Sequence, residues 1–107
     1  MGRNSGYQSG DLVDTALHVL LALVHPRHGY AVMHFLEQES EGAITLGPAS
    51  LYTTLKKLAV AGLIKELEGD ESRRTYHLTA KGHEVLVRNI ERRRQLLVMA
   101  DHIMEEA

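Results

Sequence analysis

The last third of the chain constrains the fold most. Thr79 is a suitable N-cap, and the spacing predicts a helix from Ala80 to Glu105. Leu86, Ile90, Arg93, Leu97, Ala100 and Met104 recur along it at steps alternating four and three. That is a heptad seam with one polar interruption, and Leu96 and Ile103 widen it. At ~1.5 Å per residue such a helix is on the order of 38 Å long. It is too long to lie wholly on the small domain that 107 residues can form. Left uncovered, Leu86, Ile90, Leu97 and Met104 would make an apolar stripe of a kind that soluble monomers avoid. The first helix of the same chain, through Leu17 and Leu20, can cover one side. The same helix of a second copy can cover the other, and we expect both. Leu86, Ile90, Leu97, Ala100 and Met104 are therefore the candidate dimerisation residues. Arg93, inside the seam, needs an acceptor, expected to be Asp101 or Glu91 of the partner subunit.

The second constraint is the stretch from Gly47 to Ile64. Gly47 can cap a helix and Pro48 suits its first position, where a missing N–H costs nothing. Leu51, Leu55 and Leu58 give it an apolar side, and Gly62 offers the left-handed stop. Ser50, Thr53, Thr54 and Lys57 are expected to project outward, flanked by Tyr52 and Lys56. Short hydroxyls, one aromatic ring and two cations, with no carboxylate on the helix, suit a surface that meets phosphates and base edges.

Three other segments complete the order. Residues 1–9 are rich in Gly, Ser, Asn and Gln and read as a loose arm. A first helix is expected from Asp11 to Val24, with Ser9 or Asp11 as its cap. His25-Pro26-Arg27-His28-Gly29 breaks it. A second helix runs from Tyr30 to about Ser40, and Gly42 ends it. After Gly62, residues 63–68 and 73–79 read as two strands around the turn-rich tip Gly69-Asp70-Glu71-Ser72. The fold class is thus mainly α, with a small β component (α+β). The order ααα-ββ-α is a winged helix-turn-helix over residues 10–79, followed by a long C-terminal dimerisation helix over residues 80–107. In such a unit the Gly47–Ala61 helix would enter the major groove. Arg73 and Arg74 on the wing would reach the backbone or minor groove. Alternatively, both could be solvated surface or pair with Glu66, Glu68 or Glu71.

Composition bounds the alternatives. The formal net charge is -2, which on its own argues against nucleic acid. Screening confines charge effects to ~8–10 Å, so clustering matters more than the total. The cations gather at Lys56-Lys57, Arg73-Arg74 and Arg92-Arg93-Arg94, and the acids mostly elsewhere. There is no cysteine, which removes disulfides, thiolate metal sites and cysteine nucleophiles. No apolar run reaches the ~18–20 residues that span a bilayer, and no signal peptide is apparent, so no membrane partner and a cytoplasmic location are expected. No phosphate loop, nucleophile elbow or HExxH motif is present, and no enzyme activity or cofactor is expected. Seven histidines leave a metal- or pH-responsive regulator open, through His18, His25, His28 and His34 with Asp14. Pro26 keeps His25 and His28 off any regular helix, and no metal site is assigned. A winged helix used for protein contact is the other alternative.

His28-Gly29-Tyr30 with Met33, the run Leu46 to Leu58, Gly62-Leu63-Ile64, and Arg74 to Thr79 with Gly82 occur in an order that resembles the PadR family of bacterial transcriptional regulators. The resemblance covers about residues 12–83. It implies binding of double-stranded operator DNA, usually as a repressor, and homodimerisation through the C-terminal helix. It places Ser50, Tyr52, Thr53, Thr54 and Lys57 on the recognition helix and Arg73 and Arg74 on the wing. Tyr30 falls near the backbone path. One helix after the wing is similar to the short subfamily, whose dimer interface can hold a small apolar effector, often against a tryptophan. This chain has no Trp and one Phe, so only Met99 and Met104 stand in for that platform.

Overall fold

A computed structural model describes residues 12–67 and 74–106. Helix α1 spans Asp14–Ala22, and a two-residue strand, β1, spans Arg27–His28. Helices α2 (Gly29–Glu39) and α3 (Pro48–Val60) follow. Strands β2 (Ile64–Leu67) and β3 (Thr75–Leu78) precede α4 (Ala80–Glu106). The arm at residues 1–9, the caps Ser9 and Asp11, the wing tip and Arg73 lie outside the described residues.

Helix α1 is the centre of the core. Ala16, Val19, Leu20 and Ala22 are fully buried, and Leu17 nearly so. It starts later than expected, with Val13 at the N-cap and no side-chain cap bond. It ends at Ala22 rather than Val24, where Leu23 N–H donates to the carbonyls of Val19 and Leu20. The next segment differs from the expected break. Arg27 and His28 pair antiparallel with β3, opposite Tyr76 and Thr75. The sheet therefore has three strands in the order β1-β3-β2. Arg27 is held there from both sides. Its Nε donates to the Ala22 carbonyl at 2.6 Å, and its guanidinium sits 3.7 Å from the centre of the Phe35 ring.

The local signals for α3 and α4 act where the sequence puts them. Gly47 is extended at the N-cap, Pro48 opens α3, and Gly62 adopts φ +80° after its end. The Thr79 hydroxyl accepts from Gly82 N–H at 3.0 Å and donates to the Gly62 carbonyl at 2.7 Å. One side chain thus caps α4 and ties it to the turn before β2. Gly82 packs against the backbone there. A Cβ at this position would lie 1.9 Å from the Leu63 carbonyl oxygen, so only glycine fits.

The first half of α4 belongs to the core of its own chain. Val85 and Leu86 are buried beside α1, and Ile90 is half-buried against them. Leu86 is thus corrected from a dimerisation candidate to a core residue, because α1 already covers it. Asn89, which the sequence reading overlooked, is buried to 2% exposure. Its Oδ1 accepts from Leu12 N–H at 3.1 Å, and its Nδ2 donates to the Val85 carbonyl at 2.8 Å. Arg93 finds acceptors within its own chain, where Asp101 or Glu91 of a partner was expected. Its guanidinium donates to the Leu12 carbonyl at 2.9 Å and pairs with Asp14 at 3.1 Å. Beyond Arg93 the helix leaves the fold. Leu96, Leu97, Val98, Met99, Ile103 and Met104 are all exposed.

Candidate nucleic-acid interface

The candidate interface is assembled around Gly29. Its N–H donates to the Arg74 carbonyl at 3.3 Å, joining the start of α2 to the wing. A Cβ at Gly29 would come within 3.2 Å of the Tyr52 ring and hydroxyl, so glycine lets the aromatic of α3 tuck against α2. Tyr30 follows at once, 63% exposed, with its ring edge-on to His34. Three separate elements thereby bring Tyr30, Tyr52 and Arg74 to one region. A bond between His28 Nδ1 and Thr75 Oγ1, 3.0 Å long, further fixes the strand beneath them.

On α3 the helical period decides which side chains are available. Leu51, Leu55 and Leu58 are buried as expected. Thr54 is only 7% exposed, which corrects its assignment to the outer face. It lies three residues after Leu51 and four before Leu58, so it shares their side. Ser50, Thr53, Lys56 and Lys57 are exposed, and Tyr52 is half-exposed on a flank. Lys56, expected on a flank, stands with Thr53 near the centre of the open face. Val60, four residues after Lys56, continues that face at 78% exposure. A valine is not among the hydroxyl and cationic residues that the sequence singles out, and its position in the helical period is what places it there.

Arg74 precedes β3 with an exposed side chain, and its Nε pairs with Glu66 of β2 at 3.3 Å. Tyr76 lies beside this pair. Burial raises its hydroxyl above the usual pKa of 10.0, the Glu66 charge adds to the rise, and Arg74 opposes it. Among the described residues no three His, Asp or Glu side chains converge on a possible metal position. Asp14, one of the residues considered for such a site, is engaged by Arg93. A small cleft of about 230 Å³ opens between α1 and the α2–α3 link, lined by Thr15, His18 and residues 43–46. Among the described residues, no helix is long and apolar enough to cross a membrane.

The transcriptional regulator PadR-like family model matches residues 17–88, from the middle of α1 through the first turns of α4. The chain belongs to the PadR-like family. PadR-like transcriptional regulators bind DNA and are not enzymes. A PadR family transcriptional regulator from Eggerthella lenta is similar at 26% identity and a TM-score of 0.70, covering 87% of this chain and 82% of that one. RosR of H. salinarum is similar at 25% identity and a TM-score of 0.67, covering 89% and 96%. A PadR-like transcription factor from Bacteroides fragilis, 20% identical with a TM-score of 0.73 over 94% and 96%, shares the fold. A 37.1 kDa protein in transposon TN4556 of Streptomyces fradiae is 41% identical over 76 residues. Those residues are 70% of this chain but 21% of that protein, so the match spans about a fifth of the relative's length.

Proposed function

We propose that this PadR-like chain is a homodimeric repressor that reads a palindromic operator and is released by a small apolar effector. The observation that carries the DNA-facing half is the convergence of Tyr30, Tyr52 and Arg74 around Gly29, beside the Ser50, Thr53, Lys56 and Lys57 face. In this reading α3 lies in the major groove, where Thr53 and Lys56 meet base edges. Ser50 and Lys57 at its border, Tyr30 on α2, and Arg73 and Arg74 on the wing hold the flanking phosphates. Thr54 acts from beneath, by packing. The exposed stripe of Leu97 (64%) and Met104 (73%), with half-buried Ala100 between them, supports pairing with a second copy. Ile90 would join at its near end. Two-fold pairing places the two α3 helices about one duplex turn, ~34 Å, apart. Met99 and Met104, flexible and exposed, support an adaptable apolar site at that junction.

The test is a binding titration against the duplex upstream of the chain's own gene, with mixed-sequence duplex as control, at several salt concentrations. Selective binding of two chains per site is the expected result. Affinity should fall with salt at a log–log slope of ~ -0.9 per phosphate contact. Equal affinity for both duplexes would remove the operator reading. A nearly flat salt dependence would remove the phosphate contacts and leave a protein-binding winged helix.

A further inference from the structure

The wing cation Arg74 already has a partner. Glu66 of β2 stands opposite Tyr76 of β3, and Arg74, two residues before Tyr76, reaches it diagonally through Nε at 3.3 Å; both side chains of the pair are exposed. We propose that Glu66 is an internal stand-in for a DNA phosphate, occupying Arg74 in the free protein and setting how tightly the wing grips a duplex. This rests on the DNA-binding reading above and adds a residue that no DNA-contact argument would select, because its charge has the wrong sign.

A carboxylate and a phosphate present the same acceptor chemistry to a guanidinium, so one can replace the other. The exchange has two consequences. The gain from the new contact is reduced by loss of the old one, and the displaced Glu66 charge then sits close to the incoming backbone. An exposed pair of this kind is weak, worth up to about 1 kcal/mol, so the exchange is reversible and modest in size. It tunes affinity without blocking binding. It also leaves a mark in the salt dependence. A cation that meets phosphate directly releases about one counterion, whereas a cation that must first leave a carboxylate releases almost none on balance.

The experiment is a double-mutant cycle of wild type, Glu66→Gln, Arg74→Ala and the double variant, with a mixed-sequence duplex as probe across a salt series. The wing contact is to the backbone, so no operator needs to be known. Both side chains lie on the surface, and circular dichroism checks that all four proteins are folded. Glu66→Gln is expected to tighten binding about threefold, the factor that the weak pair holds back. Its salt slope should steepen by about 0.9, one released counterion. In the Arg74→Ala background the same substitution should change affinity much less. Equal gains in both backgrounds would overturn the proposal, because Glu66 would then act only as one more negative charge. Weaker binding by Glu66→Gln would also overturn it, making the carboxylate a support that aims Arg74 at DNA. If none of the four proteins bound duplex at low salt, the DNA-binding reading itself would fall. That outcome is distinct from a wild type that binds and a cycle that shows no coupling.

Discussion

The two halves of α4 share one sequence rhythm and have opposite surroundings. From Ala80 to Arg93, the apolar side is covered by the chain's own α1, and Gly82, Val85, Leu86 and Asn89 are buried. From Arg94 onward the same four-three spacing continues through Leu97 and Met104, and both stand exposed. The contrast shows that a heptad stripe states only that a helix will be covered. What covers it depends on how far the rest of the fold reaches. Here that limit falls at Arg93, which closes over the Leu12 carbonyl and Asp14.

The comparison can be broken most severely at Gly82. Gly82→Ala would force a methyl group into the Leu63 carbonyl, and the loss is expected to be about 3 kcal/mol in urea unfolding. A near-neutral result would mean that the first half of α4 is not seated as described. Asn89→Ala is expected to cost about 2 kcal/mol by the same measurement, since the buried Leu12 N–H loses its acceptor. In the second half the expected effect moves from folding to assembly. Leu97→Glu should convert the proposed dimer to a folded monomer by light scattering. Its thermal midpoint should lose the concentration dependence expected of the wild type. An unchanged mass would refute the free stripe as the dimer contact. Smallest of all, Asp14→Ala should cost at most about 1 kcal/mol, because the carboxylate is largely exposed and Arg93 keeps the Leu12 carbonyl. A larger loss would place the boundary between the halves in this ion pair.

The same difference explains what could be read from the sequence. Gly47-Pro48, Gly62 and Thr79 are local signals, each acting within a turn of its own position, and the elements that they bound lie where expected. The long C-terminal helix was legible for the same reason. Strand β1 was not, because two residues between Pro26 and Gly29 carry no pattern and their partner lies almost fifty positions away. Thr54 was misplaced because its hydroxyl suits a polar face, although its position puts it in the leucine stripe. The contacts of Asn89 and the acceptors of Arg93 within its own chain depend on Leu12 and Asp14, far away in sequence. On the candidate interface, the outer face of α3 could be read approximately, but the meeting of three elements at Gly29 could not. A glycine reveals a close approach only once its neighbours are known.

Strand β1 has a consequence for the entropy of recognition. A lone two-stranded hairpin is marginal in water and would arrive at DNA as an ensemble. Arg27 and His28 add a third strand to the wing and continue directly into α2. Strands β2 and β3 and helix α2 are thereby joined in one frame. Freezing a mobile segment costs about 1–2 kcal/mol for each backbone residue, and the β1–β3 pairing meets that cost during folding. If the chain reads an operator as proposed, more of the contact energy then remains to discriminate one base sequence from another.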